Sequence, residues 1–458
     1  MSTTSQASVS KTEQHLRSLR FLSWSSRLLI WSLISASALL FPLFDASPKL
    51  VISDGDAWTT KGASALLRWD AFHFLHIADA GYVYEHEWAF FPGAPALMRL
   101  SGALLARVFG AVSSASPQNA RLLAMMHGGA LLGALLDARC GVLLYELTLH
   151  HFGSSGFAYV SALLGLVGSS PAALRYAAYT EPFFAYFSFK GMLCCARKRW
   201  VRAAACFACA GALRSNGVLL AGFVGWGMVG EVVVSGRGRE LTPSRIAYAA
   251  LLTALPFAPF VWHNYAAYVL FCASPSSREP TAEWCTRTIP SIYGYVQDRY
   301  WNVGFLRYWT LSNAPNFLLA LPALVPVLAF CMSYLRGVAR ILLQPVPAQS
   351  KRNDTPSPSP LASLRAFFTD PHPRPTDPFI RPSLLPHVLH ALALSLTLLF
   401  AAHTQIALRV LPTVPLAHWA LAWALTRLPR RCGRVLLAWY VCWALCACVL
   451  WAVFLPPA

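Results

Sequence analysis

The chain has 458 residues, of which 56% are hydrophobic and only 12% are charged, and its mean hydropathy is +0.48. Soluble domains usually carry about 25% charged residues, so this composition excludes an ordinary soluble protein. The net charge of +18 falls in short polar segments between apolar runs, without the interleaved aromatic residues of a nucleic-acid groove. We therefore predict an all-α, polytopic transmembrane helical bundle that binds membrane lipid and no nucleic acid.

Uncharged runs long enough to cross about 30 Å of hydrocarbon recur along the chain. The clearest are 28–44, 314–335, 384–402 and 435–455. Residues 1–27 are polar and basic, which predicts a cytosolic N-terminal tail followed by an uncleaved signal anchor and then a luminal loop at about 45–90. Between 91 and 178 the apolar sequence is interrupted, so the number of crossings there stays open. The interruptions are 113–119, 137–139 and 150–155.

Basic segments orient the second half of the chain, because short cytosolic loops of membrane proteins are rich in Lys and Arg. These segments are 197–202, 237–245, 336–383 and 427–434. The stretch 203–234 lies between two of them and is predicted to enter and return, turning at 214–217. Residues 246–273 then lead to a second luminal loop at 274–313.

A Pro-rich segment, 336–383, separates a transmembrane catalytic region, 28–335, from a C-terminal transmembrane region, 384–458. Positions 345–382 hold ten prolines among polar residues, the composition of a disordered linker. The sequon at Asn353 lies in this predicted cytosolic linker and should therefore carry no glycan. In the C-terminal region we expect a crossing, a turn near His403, a return and a last span.

Most of the 12 cysteines lie inside apolar runs, where Cys behaves as a small hydrophobic residue. Cys272 and Cys285 instead bracket part of a polar loop. In an oxidising lumen these two can form a disulfide, and the sequence alone leaves that open.

The densest group of polar residues is in 68–99, which reads RWDAFHFLHIADAGYVYEHEWAFFPGAPALMR. If 69–80 is helical, a rotation of about 100° per residue places Trp69, Asp70, His73 and His76 on about a third of the circumference. One face of this helix is therefore suited to chemistry and the other to packing.

This stretch resembles a luminal loop of the family of the second mannosyltransferase of GPI-anchor assembly. Four later segments resemble the same family: AAYTEPFFAYFSF at 177–189, LRSNG at 213–217, IYGYVQDRYWNVGFLRYW with APNFLLALP within 292–322, and HTQIALRVL at 403–411. The resemblance runs from about residue 65 to the end of the chain.

The resemblance implies a GT-C-type glycosyltransferase of the endoplasmic reticulum membrane, with luminal loops and a luminal active site. The donor would be dolichyl-phosphate mannose, used without a cofactor or metal. The acceptor would be the glycosylphosphatidylinositol intermediate, extended by an α-1,6-linked mannose with inversion at the donor carbon. A small membrane subunit is a further expected partner.

Asp70 is the predicted catalytic base. A sugar hydroxyl that attacks an anomeric carbon needs a base within hydrogen-bonding reach of its proton. The alternative is that Asp70 only caps the helix that follows, where Asp is favoured. The two roles can coexist.

Other polar residues are predicted to approach the same membrane face and to bind substrate, since polar groups at membrane depth usually serve function. Arg214 or Arg409 would neutralise the leaving phosphate, because a guanidinium binds phosphate with two hydrogen bonds. Alternatives are snorkelling for Arg214 and helix capping for Glu181. The predicted substrate-binding set is Trp69, His73, His76, Glu181, Arg214, Asn216, His263, Gln297, His403, Gln405 and Arg409. Around His263 the sequence departs from the family pattern, because this chain has Trp262-His263-Asn264 where relatives carry a Gln-like residue before the polar pair.

A metal site at His73, His76 and His86 with a neighbouring Glu is the alternative to substrate binding by these histidines, but no HExxH or Cys/His ladder is present. The Asp54-Gly55-Asp56 triplet is interpreted as a turn rather than a metal site. The rival functions are a lipid or solute transporter and then a membrane metal hydrolase. A transporter usually shows self-similar halves, which this sequence lacks.

Overall fold

The computed structural model describes residues 2–52, 62–109, 117–273, 282–343, 360–369 and 377–455. Within these ranges the regular structure is helical and no β-strand is present, which confirms the all-α prediction. The α-helices of the first half are α1 Ser2–Leu40, α2 Pro48–Val51, α3 Asp70–Ala80, α4 Gly93–Phe109, α5 Pro117–Phe152, α6 Ser155–Leu166, α7 Pro171–Arg175, α8 Thr180–Ala196 and α9 Trp200–Gly211. Those of the second half are α10 Ala221–Gly225, α11 Glu231–Val234, α12 Pro243–Ala254, α13 Ala258–Phe271, α14 Ile292–Trp301, α15 Ala314–Leu343, α16 Pro360–Thr369, α17 Leu385–Phe400, α18 Ala407–Val410, α19 Pro415–Arg427 and α20 Arg430–Ala452.

Five helical segments in the described ranges are long and apolar enough to cross a membrane. They are Ser215–Val234, Pro243–Phe271, Leu311–Leu343, Pro382–Phe400 and Arg430–Ala452. One further pair of helical segments, Thr404–Thr413 and Pro415–Arg427, is bent by 94° at the break between them. This bend lies about ten residues after the turn expected near His403, within the predicted return. These segments confirm that the chain is a multi-pass membrane protein. They also confirm membrane-spanning helices at three of the four clearest apolar runs.

The fourth run, 28–44, behaves differently. Residues 28–40 of this run belong to the 39-residue helix α1, which starts well before position 27 and ends at Leu40, and α1 is not among the helices that are long and apolar enough to cross a membrane. The signal anchor and the tail boundary stay predictions.

The interruption expected at 137–139 is wrong, because α5 continues through it for 36 residues. Asp137 is buried and forms ion pairs with Arg27 and with Arg175, whose Nε lies 3.2 Å from Asp137 Oδ2. A charge that is paired inside the bundle need not reach water, so the helix does not break there. The interruption at 150–155 is confirmed, since α5 ends at Phe152 and α6 begins at Ser155.

The Pro-rich linker is not wholly irregular, because it contains the helix α16. Phe367 of α16 is buried, and the ring of Phe368 lies 5.6 Å from that of Trp226. Burial of these aromatic side chains favours order in a segment whose overall composition predicted disorder. The Asp54-Gly55-Asp56 turn and the Asn353 sequon lie outside the described residues.

The helices share one large apolar core, and a second, smaller core lies among the connecting loops. The second core consists of Trp88, Ala267, Trp284, Ile292 and Val296. Cys272 and Cys285 form a disulfide beside it, which answers the question that the sequence left open. This small core holds the loop after α3 against α13 and α14, and it therefore fixes one side of the candidate site.

Candidate active site

Asp70 is the first residue of α3, as the sequence predicts. The cap position before it is occupied by Trp69, and no side chain makes a capping hydrogen bond. Asp70 Oδ2 instead lies 2.8 Å from Nη1 of Arg409. Its other oxygen accepts no hydrogen bond from the described part of the chain, and 33% of the side chain is exposed. The capping alternative is therefore not realised.

Arg409 joins Asp70 to a second, fully buried carboxylate. Its Nε and Nη2 both lie 2.9 Å from Glu181 Oε1. The same oxygen is 2.7 Å from Nη1 of Arg214, which is also 3.3 Å from the hydroxyl of Thr180. We call Asp70, Glu181, Arg214 and Arg409 the Asp70 cluster. Its formal charges sum to zero, with two carboxylates and two guanidinium groups.

Glu181 explains why the cluster holds together. Its carboxylate is 0% exposed, and an isolated charge there would cost several kcal/mol. Burial alone would raise the pKa of Glu181, but Arg409 and Arg214 outweigh it and leave that pKa lowered. The capping alternative for Glu181 and the snorkelling alternative for Arg214 both give way to this ion pairing.

Tyr179 packs against the Asp70 cluster, a role that the sequence analysis did not assign. Its fully buried ring lies 4.9 Å from the Arg409 guanidinium carbon. Its hydroxyl donates to the backbone oxygen of Arg68 at 2.8 Å. The sequence signal for this role was the position of Tyr179 two residues before Glu181. A buried tyrosine beside a charge needs a hydrogen-bond partner for its hydroxyl.

The two acidic residues that follow α3, Glu85 and Glu87, have structural roles. Glu87 pairs with His76 and accepts hydrogen bonds from the backbone nitrogens of Val83 and Tyr84 at 2.8 and 2.9 Å. Glu85 accepts from Trp284 Nε1 at 3.0 Å and from the Tyr300 hydroxyl at 2.9 Å.

His73 lies one turn along α3 from Asp70 and stacks on Phe90, with ring centroids 4.5 Å apart. Burial lowers the pKa of His73, against an opposing effect of Asp70. Within the described residues no group of three or more His, Cys, Asp or Glu side chains is arranged to hold a metal ion.

Two further residues of the predicted substrate-binding set are Asn216, two positions after Arg214, and Trp69, directly before Asp70. Asn216 Nδ2 is buried and has no hydrogen-bond partner in the described chain, so it is a donor available to a ligand. The indole of Trp69 stacks on Phe454, with centroids 5.0 Å apart, and the residue is 37% exposed.

His403 and Gln405 form a separate group around Tyr308. The His403 ring stacks on that of Tyr308 at 4.8 Å, and its Nε2 lies 2.8 Å from the backbone oxygen of Trp301. Gln405 accepts from the Tyr308 hydroxyl at 3.0 Å. In the described structure no hydrogen bond joins this group to the Asp70 cluster.

The structure does not bring His263 and Gln297 to the Asp70 cluster. His263 is 2% exposed, and its Nε2 lies 2.9 Å from the backbone oxygen of Trp88, so it holds the small core. Gln297 is half-buried on α14. Its backbone oxygen accepts from the Val303 nitrogen at 2.9 Å.

Fold and site together define a polytopic membrane protein with a charged, partly exposed cluster at the start of α3. The family model described as Mannosyltransferase (PIG-V) matches residues 15–458. The chain belongs to this family and is a glycosyltransferase, which confirms the resemblance and leaves the transporter and hydrolase alternatives without support.

Named relatives cover most of the chain. GPI mannosyltransferase 2 of Cryptococcus neoformans var. neoformans serotype D (strain B-3501A) is 32% identical over 454 residues, which is 94% of this chain and 96% of the relative. GPI alpha-1,6-mannosyltransferase 2 of Cricetulus griseus is 32% identical over 378 residues, 77% of this chain and 72% of the relative. The protein of the same name from Homo sapiens is 31% identical over 381 residues, with the same two shares, 77% and 72%.

Proposed function

We propose that this mannosyltransferase adds an α-1,6-linked mannose to the glycosylphosphatidylinositol precursor, taking it from dolichyl-phosphate mannose, with Asp70 as the general base. The acceptor and linkage are those that the names of the relatives carry. The observation that supports the base is the Asp70 carboxylate itself: Arg409 holds one oxygen, the other has no hydrogen-bond partner among the described residues, and the side chain is 33% exposed.

The reaction needs one proton transfer and one displacement. The acceptor hydroxyl oxygen attacks the anomeric carbon of mannose, and its proton passes to the free oxygen of Asp70. The bond from that carbon to the phosphate oxygen breaks, and its electron pair stays on dolichyl phosphate. Attack from the face opposite the leaving group converts a β-linked donor into an α-linked product.

Of the two arginines, Arg214 is better placed to receive the phosphate. Arg409 uses Nε, Nη1 and Nη2 to bridge Asp70 and Glu181. Arg214 uses only Nη1, and its Nε and Nη2 donate to no described residue. Free guanidinium donors suit a phosphate that gains charge as it leaves. Arg409 then positions the base, while Arg214 stabilises the leaving group.

The remaining substrate-binding residues are assigned by position. The unpartnered amide of Asn216 and the exposed part of Trp69 lie beside the Asp70 cluster and suit the sugar hydroxyls and ring faces. The Tyr308 group, with His403 and Gln405, lies apart and suits the acceptor. A small membrane subunit stays a prediction from the family resemblance.

The test compares Asp70→Asn with Asp79→Asn in purified enzyme given labelled dolichyl-phosphate mannose and the acceptor glycolipid. Asp79 is a matched control, because it lies on the same helix and is also paired with an arginine, Arg121, at 2.9 Å. We expect Asp70→Asn to lose about 10²- to 10⁴-fold in rate and Asp79→Asn to stay within twofold of wild type. Full activity of a folded Asp70→Asn enzyme would contradict the assignment.

The active site is proposed to face the lumen of the endoplasmic reticulum. Val83 is 54% exposed in the loop after α3, whereas Cys432 is an exposed free thiol in a basic turn predicted to be cytosolic. In sealed microsomes an impermeant maleimide should label Cys432 of the wild type. A double variant with Val83→Cys and Cys432→Ser should gain label at position 83 only after permeabilisation. Labelling of position 83 in sealed vesicles would overturn the luminal site.

A further inference from the structure

The backbone that presents Asp70 is strained at the residue before it. Trp69 has φ +50° and ψ −123°, a region that a bulky side chain rarely adopts. Such a conformation costs about 1–3 kcal/mol and persists only where the surroundings enforce it. The position of Asp70 therefore depends on whatever holds Trp69.

Arg68, the residue before Trp69, is anchored to the end of the last helix. It is 0% exposed, and it has no carboxylate partner among the ion pairs of the described chain. Its Nε donates to the backbone oxygen of Trp451 at 3.2 Å, and its Nη2 donates to that of Ala452 at 3.0 Å. The last carbonyls of a helix lack partners within the helix and attract a cation. Arg68 and the end of α20 therefore satisfy each other.

The side chain of Phe454 contacts the same junction between Arg68 and Trp69. Its ring lies parallel to that of Trp69, with an interplanar angle of 8° at 5.0 Å, and it covers the Arg68 guanidinium at 4.9 Å. It also meets the edge of Phe72 in α3 at 6.1 Å. One aromatic ring thus contacts the residue before Trp69, Trp69 itself and the first turn of the helix that Asp70 begins.

A second connection runs from the same helix end to Arg409. Trp451 donates from Nε1 to the backbone oxygen of Ala65 at 2.8 Å, and its ring lies 5.2 Å from that of Tyr179. Tyr179 in turn bonds the Arg68 carbonyl and lies under Arg409. Residues 451–454 therefore contact the supports of both partners in the Asp70–Arg409 pair.

We propose that residues 451–454, at the end of α20, are a positioning element for the catalytic carboxylate, with Phe454 as its positioning residue. This inference rests on the proposed role of Asp70. Phe454 holds Trp69 in its strained conformation, and Arg68 ties the same junction to the helix end. Removing the Phe454 ring lets the junction relax, which moves Asp70 away from the acceptor proton without removing any group that binds substrate.

The experiment measures kcat and KM separately in Phe454→Ala, Phe454→Tyr and Phe400→Ala. A misplacement of about 1 Å at a reacting group can cost about 100-fold in rate, so we expect Phe454→Ala to lower kcat by about 10- to 100-fold with both KM values within threefold. Phe454→Tyr keeps the ring and should restore kcat. Phe400 is the matched control, because it stacks on Trp309 with the same 8° angle at 5.7 Å but has no contact with α3 in the described structure; its loss should leave kcat within twofold.

A double-mutant comparison separates positioning from a general loss of structure. Asp70→Glu already displaces the carboxylate by one methylene, so Phe454→Ala should lower its kcat by less than threefold further. An equal effect of Phe454→Ala in both backgrounds would overturn the proposal, and so would unchanged kcat in Phe454→Ala. If Asp70→Asn keeps full activity, the proposed function itself fails; if Asp70→Asn is inactive and Phe454→Ala is normal, only the positioning role fails.

Discussion

Two clusters of buried charge lie in the described part of the chain, and they differ in how far their side chains are exposed. The Asp70 cluster has equal numbers of cations and anions, and its Asp70 side chain is 33% exposed while both arginines are 17% exposed. The Asp137 cluster consists of Asp137, Arg27 and Arg175, and its side chains are only 6%, 2% and 2% exposed.

The comparison indicates how to separate a catalytic cluster from a structural one. In the Asp137 cluster, Arg175 Nη1 is buried without a hydrogen-bond partner in the described chain, and the cavity lined by Arg27, Asp137 and Arg175 has a volume of only about 20 Å³. In the Asp70 cluster the unused atoms, Asp70 Oδ1 and two nitrogens of Arg214, belong to side chains that are 33% and 17% exposed. Partial exposure of side chains with unpaired polar atoms, rather than the presence of ion pairs, is what favours the Asp70 cluster as the proposed reactive site.

The largest effect should come from Asp137→Asn, which leaves two guanidinium groups buried without a counter-charge. Breaking a buried pair from one side costs about 3–5 kcal/mol, so the melting temperature in detergent should fall strongly while kcat of the surviving folded enzyme stays within twofold. Glu146→Gln is the control, because it removes an exposed pair with Arg197. An unchanged melting temperature in Asp137→Asn would erase the distinction between the clusters.

Arg409→Lys tests the catalytic cluster. A single ammonium group cannot reproduce the three nitrogens that bridge Asp70 and Glu181, so we expect kcat to fall by about 100-fold. Arg121→Lys is the control, since Arg121 pairs with Asp79 farther along α3. Steady-state kinetics would contradict the bridging role if both variants had the same kcat.

Arg214→Lys should have a smaller effect that concerns the donor. A lysine keeps the charge but loses the second donor to phosphate, so kcat/KM for dolichyl-phosphate mannose should fall by about 10-fold. Inhibition by dolichyl phosphate should weaken in parallel, while the KM for the acceptor stays constant. A change confined to the acceptor KM would contradict the assignment of Arg214 as the residue that binds the phosphate.

The smallest expected effect is that of His73 on how the stability of the protein depends on pH. The pKa of His73 is lowered from 6.5 because the ring is buried, so the unfolded chain binds more protons than the folded one between the folded pKa and 6.5. The associated stability is present above pH 6.5 and is lost as the pH falls through this window. His73→Phe should flatten the acid side of a plot of melting temperature against pH. An unchanged slope would show that another group titrates there.

The sequence predicted the features that depend on local pattern. The apolar runs at 314–335, 384–402 and 435–455 and the helix that begins at Asp70 were readable from composition and spacing. The pairing within the Asp70 cluster was not readable, because Asp70, Glu181, Arg214 and Arg409 come from four distant segments.

Other features were mispredicted or missed for the same physical reason. The helix α5 continues past Asp137 because Arg27 and Arg175 supply partners from elsewhere in the chain. Phe454 gave no signal either, since a lone aromatic residue near a chain end is ordinary in a membrane protein. In each case the decisive contact is long-range, and local sequence patterns do not report such contacts.

The most direct measurement is a single-turnover experiment on Asp70→Asn with donor already bound. The amide keeps the shape of the side chain, so donor affinity should stay within a few-fold of wild type while mannose transfer slows by about 10³-fold. Transfer at the wild-type rate, with donor bound normally, would show that the carboxylate held by Arg409 is not the base.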